Sequence, residues 1–284
     1  WERKRAAENK SVILDLDLFH IGSFRNGSIA AGIISMGEFG LLFAIPLWLQ
    51  NVEGLSAVSS GLVLLWLAGG AFLASGIGGA LSGKLPAAYA VRIGVALEMV
   101  GVAGVALVAS QSGGWFAVAP FLLIYGIGVG LATAQLTGVI MVDVPVQKIG
   151  QASGSQSTVR QIGSALGIAV LGTTLFTSTQ LAVATNIEEL SVFKGAPAAQ
   201  VKVFADNTSQ LVVDSAGAIL PTMPQYLQSI GMPEDLATDI QIQAREGFTE
   251  GVKTTGWVAG GFLALGLLST FNLGARRKKT DLKK

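Results

Sequence analysis

The sequence contains no cysteine and a single histidine, His20. The first absence excludes a disulfide framework and a thiolate metal site. The second excludes a metal centre built from several imidazoles. Charge is also scarce, at 13% of 284 residues, against about 25% in soluble domains. A net charge of +1 supplies no basic field of the kind that nucleic acid requires, so nucleic acid is not an expected partner. Gly76-Ile77-Gly78-Gly79 and Gly126-Ile127-Gly128-Val129-Gly130 have superficial likeness to nucleotide loops, but neither has the strand–turn–helix context of a dinucleotide or phosphate fingerprint. No cofactor, metal or clustered catalytic group is therefore expected, and the chain does not read as an enzyme.

What the chain has in abundance is apolar sequence. Hydrophobic residues make up 51% of it, mean hydropathy is +0.58, and its 37 glycines suit membrane helices better than soluble ones. A bilayer core about 30 Å thick needs about 20 apolar residues in helix. Six stretches qualify, near residues 28–50, 59–81, 90–109, 115–142, 155–177 and 252–273. The predicted fold is an all-α integral membrane protein, a bundle of six transmembrane helices in lipid. Residues 1–27 read as a cytoplasmic lead-in, 28–177 as five spans, 178–251 as a long extracytoplasmic segment, 252–273 as the sixth span and 274–284 as a basic tail. Within 178–251, stretches 198–211 and 233–250 read as helical. The start at Trp1, with no apolar run directly after Trp1-Glu2-Arg3-Lys4-Arg5, reads as an internal point of a longer protein.

Loops rich in Lys and Arg stay in the cytoplasm. Arg276-Arg277-Lys278-Lys279 puts the C-terminus inside, and six spans put the N-terminus there too. Only Lys194, Lys202, Arg245 and Lys253 then lie outside; the opposite orientation inverts the split. Trp48 and Trp115 fall at the outer interface, where indoles accumulate.

Two acids stand near the middle of their spans, Glu38 and Glu98. A carboxylate at bilayer depth costs at least a few kcal/mol, so it lines a cavity, or holds a proton and bonds to a neighbouring helix. The first case makes it a proton-coupling or solute-cavity residue, the second a structural one. Asp143 and Arg160 flank the inner loop between the fourth and fifth spans, as a structural ion pair or a gate that breaks on opening. Gln135, Thr133, Thr137, Gln156, Thr158 and Gln161 either join helices by hydrogen bonds or line the polar part of a cavity. Trp66 either packs in the core or stacks on a ligand. Gly79/Gly83, Gly126/Gly130, Gly163/Gly167 and Gly256/Gly260 are spaced by four, which lets helix backbones approach closely.

Several short motifs recur in one order. Leu14-Asp15-Leu16-Asp17-Leu18-Phe19 precedes Ser23-Phe24-Arg25-Asn26-Gly27. Phe39-Gly40 and Ile45-Pro46-Leu47-Trp48-Leu49-Gln50-Asn51-Val52 follow, then Gly54-Leu55-Ser56-Ala57 and Ser60-Gly61-Leu62. Gly150-Gln151-Ala152-Ser153-Gly154, Thr158-Val159-Arg160-Gln161-Ile162-Gly163 and Ala165-Leu166-Gly167 complete the series. Their order and spacing over most of residues 12–175 resemble the C-terminal half of the major facilitator superfamily, and specifically its fourteen-helix drug:proton antiporter branch. The loop after the second span departs from the pattern. Gly83 stands where the family has an acid, and Leu85-Pro86-Ala87-Ala88 replaces part of a basic run.

The resemblance implies one lobe of a two-lobed transporter whose N-terminal half is its missing partner. It further implies proton-coupled efflux of small amphiphilic or cationic drugs by alternating access, in the cell membrane. Export of a specific metabolite, lipid or peptide is the alternative transport reading, and a membrane enzyme or sensor is the alternative outside transport.

Overall fold

The computed structural model describes residues 16–81, 85–111 and 113–273, the side chains of 79–81 apart. The leading stretch 1–15, the loop positions Gly83 and Lys84 and the basic tail 274–284 lie outside the described residues. A short 3-10 turn, Leu16–His20, leads into α1, Gly22–Asn51. Then come α2, Ala57–Leu81; α3, Ala87–Val108; α4, Gly114–Met141; and α5, Ile149–Glu188. Next are α6, Ala198–Asp214, and the short α7, Met223–Ser229, followed by α8, Glu234–Thr270. The helices α1–α5 and α8 are long and apolar enough to cross a membrane, as the six hydrophobic stretches predict. The protein is thus an all-α, multi-pass membrane bundle.

α1 is the central helix. It packs on α5, α8 and α4, while α2 and α3 pack chiefly on α4. The position of α1 follows from its small residues. Gly37 meets the α8 backbone at Ala259 and the side chain of Leu263, and Gly40 meets Leu171 of α5. A larger side chain at either place would hold the helices apart. The spacing by four in α4 works similarly: Gly126 lies against the Leu67 backbone of α2, and Gly130 against Ala71. Of the pair Gly256/Gly260, Gly256 packs on Ala106 of α3, whereas Gly260 has nothing within 4 Å. The pair Gly79/Gly83 lies partly outside the described residues.

Two helices run far beyond the expected spans. At 1.5 Å per residue, the 40 residues of α5 extend about 60 Å and the 37 of α8 about 55 Å. Both exceed the hydrocarbon core by about 25–30 Å. Residues 178–251 are therefore largely helix: the upper end of α5, α6, α7 and the first half of α8. The polar ends of α5 and α8 have no lipid to satisfy and pack instead on each other and on α6 and α7. Gly247 and Gly251 of α8 meet the backbone of α5 at Val183 and Leu175, and Gln180 Nε2 donates to Gln210 Oε1 at 2.9 Å. The turn after α6 rests on the top of α1, where Asn51 Nδ2 donates to the Ala216 carbonyl at 3.0 Å. This helical cap covers Trp48, which is fully buried. Trp115 is half-buried and stacks on Phe116 at 3.6 Å.

At the opposite end, Arg92 of α3 reaches the C-terminus of α8. Its Nη2 donates to the carbonyls of Thr270, 3.2 Å, and Leu273, 3.4 Å, and its guanidinium lies 4.6 Å from the centre of the Phe271 ring. Carbonyls left open at a helix C-terminus attract a cation in this way.

Candidate functional site

The close contact of α1 with α5 sets the site. Gly163 and Gly167 on α5 bring their backbone against the carbonyls of Gly32 and Met36 on α1. Arg160, one turn before Gly163, is about 17 Å along α5 from its first residue, well inside the bundle rather than beside the inner loop. Glu38 leans toward the N-terminus of α1, as helix side chains do, and Arg160 extends to meet it. Arg160 Nη2 lies 3.8 Å from Glu38 Oε2. Arg160 Nε donates to Ser35 Oγ at 3.4 Å. The Glu38 side chain is 6% exposed and that of Arg160 30%, so the pair is closed at the acid and partly open at Arg160.

The second acid approaches from the other side of α4. Gly101 of α3 packs on the Tyr125 backbone, and Gly128 of α4 packs on the Glu98 backbone and side chain. Tyr125 is fully buried and its hydroxyl donates to the Glu38 backbone carbonyl at 3.2 Å. One turn of α4, Tyr125 to Gly128, thus touches both acids' surroundings. Glu98 has no exposed surface, and neither of its carboxyl oxygens has a hydrogen-bond partner.

The remaining predicted residues are spread more widely. Asp143 is exposed in the turn after α4, and among the described residues the ion-pair partner of Arg160 is Glu38, not Asp143. The reason is helical rise: continuous helix from Ile149 carries Arg160 away from the loop that its sequence neighbours form. Gln135 Nε2 donates to the Gly78 carbonyl at 2.9 Å and so ties α4 to α2. Gln156 is buried, and its Nε2 donates to Thr137 Oγ1 at 3.4 Å. Thr133 is half-buried and Gln161 exposed. Trp66 is 46% exposed on α2, outside the packed core. The sequence reading missed Ser35 and Tyr125. Ser35 was findable, because it stands one helical turn before Glu38 and so on the same face. Tyr125 carries no such signal, since only the α1–α4 contact gives its hydroxyl a partner.

A buried acid paired to a partly exposed arginine, linked through one turn of α4 to a second buried acid without a hydrogen-bond partner, is an arrangement able to take up and release a proton or to hold a charged solute. It sits where two helices cross through glycine. Residues 2–168, the part containing both acids and Arg160, match the Major Facilitator Superfamily. This chain belongs to that superfamily. Its six-helix bundle is one lobe of the major facilitator fold. Over 175 residues it is 30% identical to the multidrug resistance protein Stp of Mycobacterium tuberculosis, covering 62% of this chain and 32% of that protein. It is 29% identical over 168 residues to a tetracenomycin C resistance and export protein of Streptomyces glaucescens, covering 59% and 31%. A tetracycline resistance determinant of Streptomyces rimosus is 30% identical over 171 residues, covering 58% and 48%. The chain spans less than half the length of these relatives.

Proposed function

We propose that this chain is the C-terminal lobe of a proton-coupled exporter of small amphiphilic or cationic drugs. The partner lobe supplies the other wall of the solute path, and the two rock about a central site in alternating access. The site lies in the cell membrane with both termini cytoplasmic, as the distribution of Lys and Arg favours. The observation that carries the reading is the Glu38–Arg160 pair, buried at mid-helix depth yet open on one side through Arg160. Intramembrane ion pairs are costly and mark ion or solute pathways. Relatives named for multidrug and tetracycline resistance support export of drugs.

The test uses a protein comprising both lobes, reconstituted in vesicles, with ethidium as the transported probe. An imposed proton gradient drives ethidium movement in the wild type, and Glu38→Gln abolishes that movement while the purified variant stays monodisperse. Full gradient-driven transport by Glu38→Gln would reject the proton-carrying role. A second reading, export of one specific metabolite, is favoured by the relative named for tetracenomycin C alone. A compound screen separates the two: many cations moved, or one.

A further inference from the structure

The end of the bundle opposite the cap carries a cation without a carboxylate. Arg92 lies about 7.5 Å along α3 from its first residue, Ala87, at the margin of the span, and its side chain is partly exposed. The ion pairs among the described residues do not include it. The carbonyls of Thr270 and Leu273 hold its Nη2, but a helix C-terminus offers only about half an elementary charge. Nε is buried without a hydrogen-bond partner. The guanidinium lies 5.1 Å from the centre of the Tyr89 ring and 4.6 Å from that of Phe271, and both rings are exposed.

An apolar track leads from this cation along α8. Residues three apart on a helix form a continuous row. Phe271, Leu268, Leu265 and Phe262 make such a row, since the backbone is still helical at Phe271. The first three of these side chains are exposed. The row ends at an open apolar groove of about 410 Å³ lined by Val258, Gly261, Phe262 and Leu265. Gly261 forms its notch, because nothing lies within 4 Å of where a Cβ would stand. Leu265 and Gly261 are about 9 and about 15 Å along the axis from Phe271. One leaflet, half the hydrocarbon core, is about 15 Å deep.

We propose that this face binds one anionic diacyl phospholipid, with its phosphate on Arg92 and an acyl chain in the Gly261 groove. Charge selects the headgroup. A guanidinium without a counter-ion beside lipid is costly, and a phosphate monoanion neutralises it through a charge-assisted hydrogen bond. Nη2 is taken by the carbonyls and Nε is buried, so Nη1 is the nitrogen left for the phosphate. Tyr89 stands at headgroup level, where tyrosines collect. Arg276, Arg277, Lys278 and Lys279 follow Leu273 closely in the sequence, and basic residues just beyond a span draw anionic lipid to that surface. Arg92 belongs to α3 and the groove to α8, so the lipid bridges two helices that already pack together. The site shares no residue with the Glu38–Arg160 pair and is independent of what is transported.

The test uses the purified two-lobed protein in detergent, stripped of lipid and titrated with phosphatidylglycerol or phosphatidylcholine. Native mass spectrometry reads the affinity for the first lipid bound. The wild type is expected to bind phosphatidylglycerol more tightly than phosphatidylcholine. Arg92→Gln weakens phosphatidylglycerol about fivefold, equivalent to the roughly 1 kcal/mol that one cationic side chain contributes near an anionic surface, and leaves phosphatidylcholine unchanged. Arg92→Lys keeps the preference, because the charge remains although the fork that holds the α8 carbonyls is lost. Gly261→Leu fills the groove where there is no neighbour to displace. It weakens both lipids and leaves the thermal midpoint of the lipid-free protein unchanged, and it carries the test if Arg92→Gln does not fold. Equal affinity of the wild type for the two lipids, an undiminished preference in folded Arg92→Gln, or undiminished phosphatidylglycerol binding by Gly261→Leu overturns the site. So does full competition by glycerol phosphate, which has the anion and no acyl chain.

Discussion

Trp48 donates its indole N–H to Thr249 Oγ1 at 3.1 Å, with both residues buried. The Thr249 hydroxyl in turn donates to the Arg245 carbonyl at 2.9 Å. One hydroxyl therefore joins the top of α1 to the first half of α8 and satisfies the largest fully buried side chain of the bundle. Without the cap, the indole would be free to sit in the headgroup region.

Thr249→Val keeps the shape but leaves the Trp48 N–H without a partner. The expected cost is about 1–3 kcal/mol, read as a lower thermal midpoint in detergent. Thr249→Ser keeps the bond, and its midpoint stays closer to that of the wild type.

Glycines in equivalent patterns should differ sharply in their tolerance of a methyl group. Gly163→Ala drives a Cβ into the Gly32 carbonyl, a backbone atom that cannot move aside. It separates α1 from α5 and lowers both stability and yield. Gly260→Ala meets nothing within 4 Å and leaves the midpoint unchanged or slightly higher, since Ala is the better helix former by about 1 kcal/mol. Thermal melts of the two variants side by side check this; equal effects would contradict the crossing described for α1 and α5.

Glu38 and Arg160 should be energetically coupled. Glu38→Gln alone leaves the guanidinium without its counter-ion, and Arg160→Met alone leaves the carboxyl without its cation. Each single change destabilises the bundle, and the double variant recovers much of the loss, because the isolated charge is worse than none. A double-mutant cycle on thermal midpoints measures the coupling. Additive losses would mean that the pair does not interact.

Outside the spans, Glu53 lies in the turn between α1 and α2. Burial raises its carboxyl above the ordinary value of 4.5, opposed by the backbone N–H of Trp115 and by the charge of Arg245. A raised acid stabilises the fold most when neutral. That contribution is present below the ordinary carboxyl range and is lost as pH climbs through the raised value. Glu53→Gln removes this component, so the difference between wild-type and variant midpoints should widen in the variant's favour as pH rises from about 4 to about 7. A pH series of melts on both proteins gives the sign directly.

The sequence exposed the membrane spans because hydropathy is a local property, summed over about 20 residues. It also exposed Glu38, Glu98 and Arg160, because a charge inside an apolar run is conspicuous wherever the helix goes. It was less informative about residues 178–251. Helical stretches at 198–211 and 233–250 were legible and match α6 and the first half of α8, but not that α5 and α8 run on unbroken from the spans, since helix ends that leave the bilayer can still bury one face on each other. Trp48 shows the same limit, as its interface-like position could not reveal the cap above it.

By itself, then, the sequence determined a six-span all-α membrane protein, its family and which groups pay for burial. Only the tertiary structure decided who meets whom. Arg160 reaches Glu38 instead of Asp143 because Gly163 and Gly167 let two distant helices touch backbone to backbone. Tyr125 joins the site because α4 packs on α1, and Glu98 joins it because Gly101 and Gly128 bring α3 onto α4. Residue chemistry is written locally, but pairing depends on which helix faces are small enough to approach, and that is settled only when all the helices pack at once.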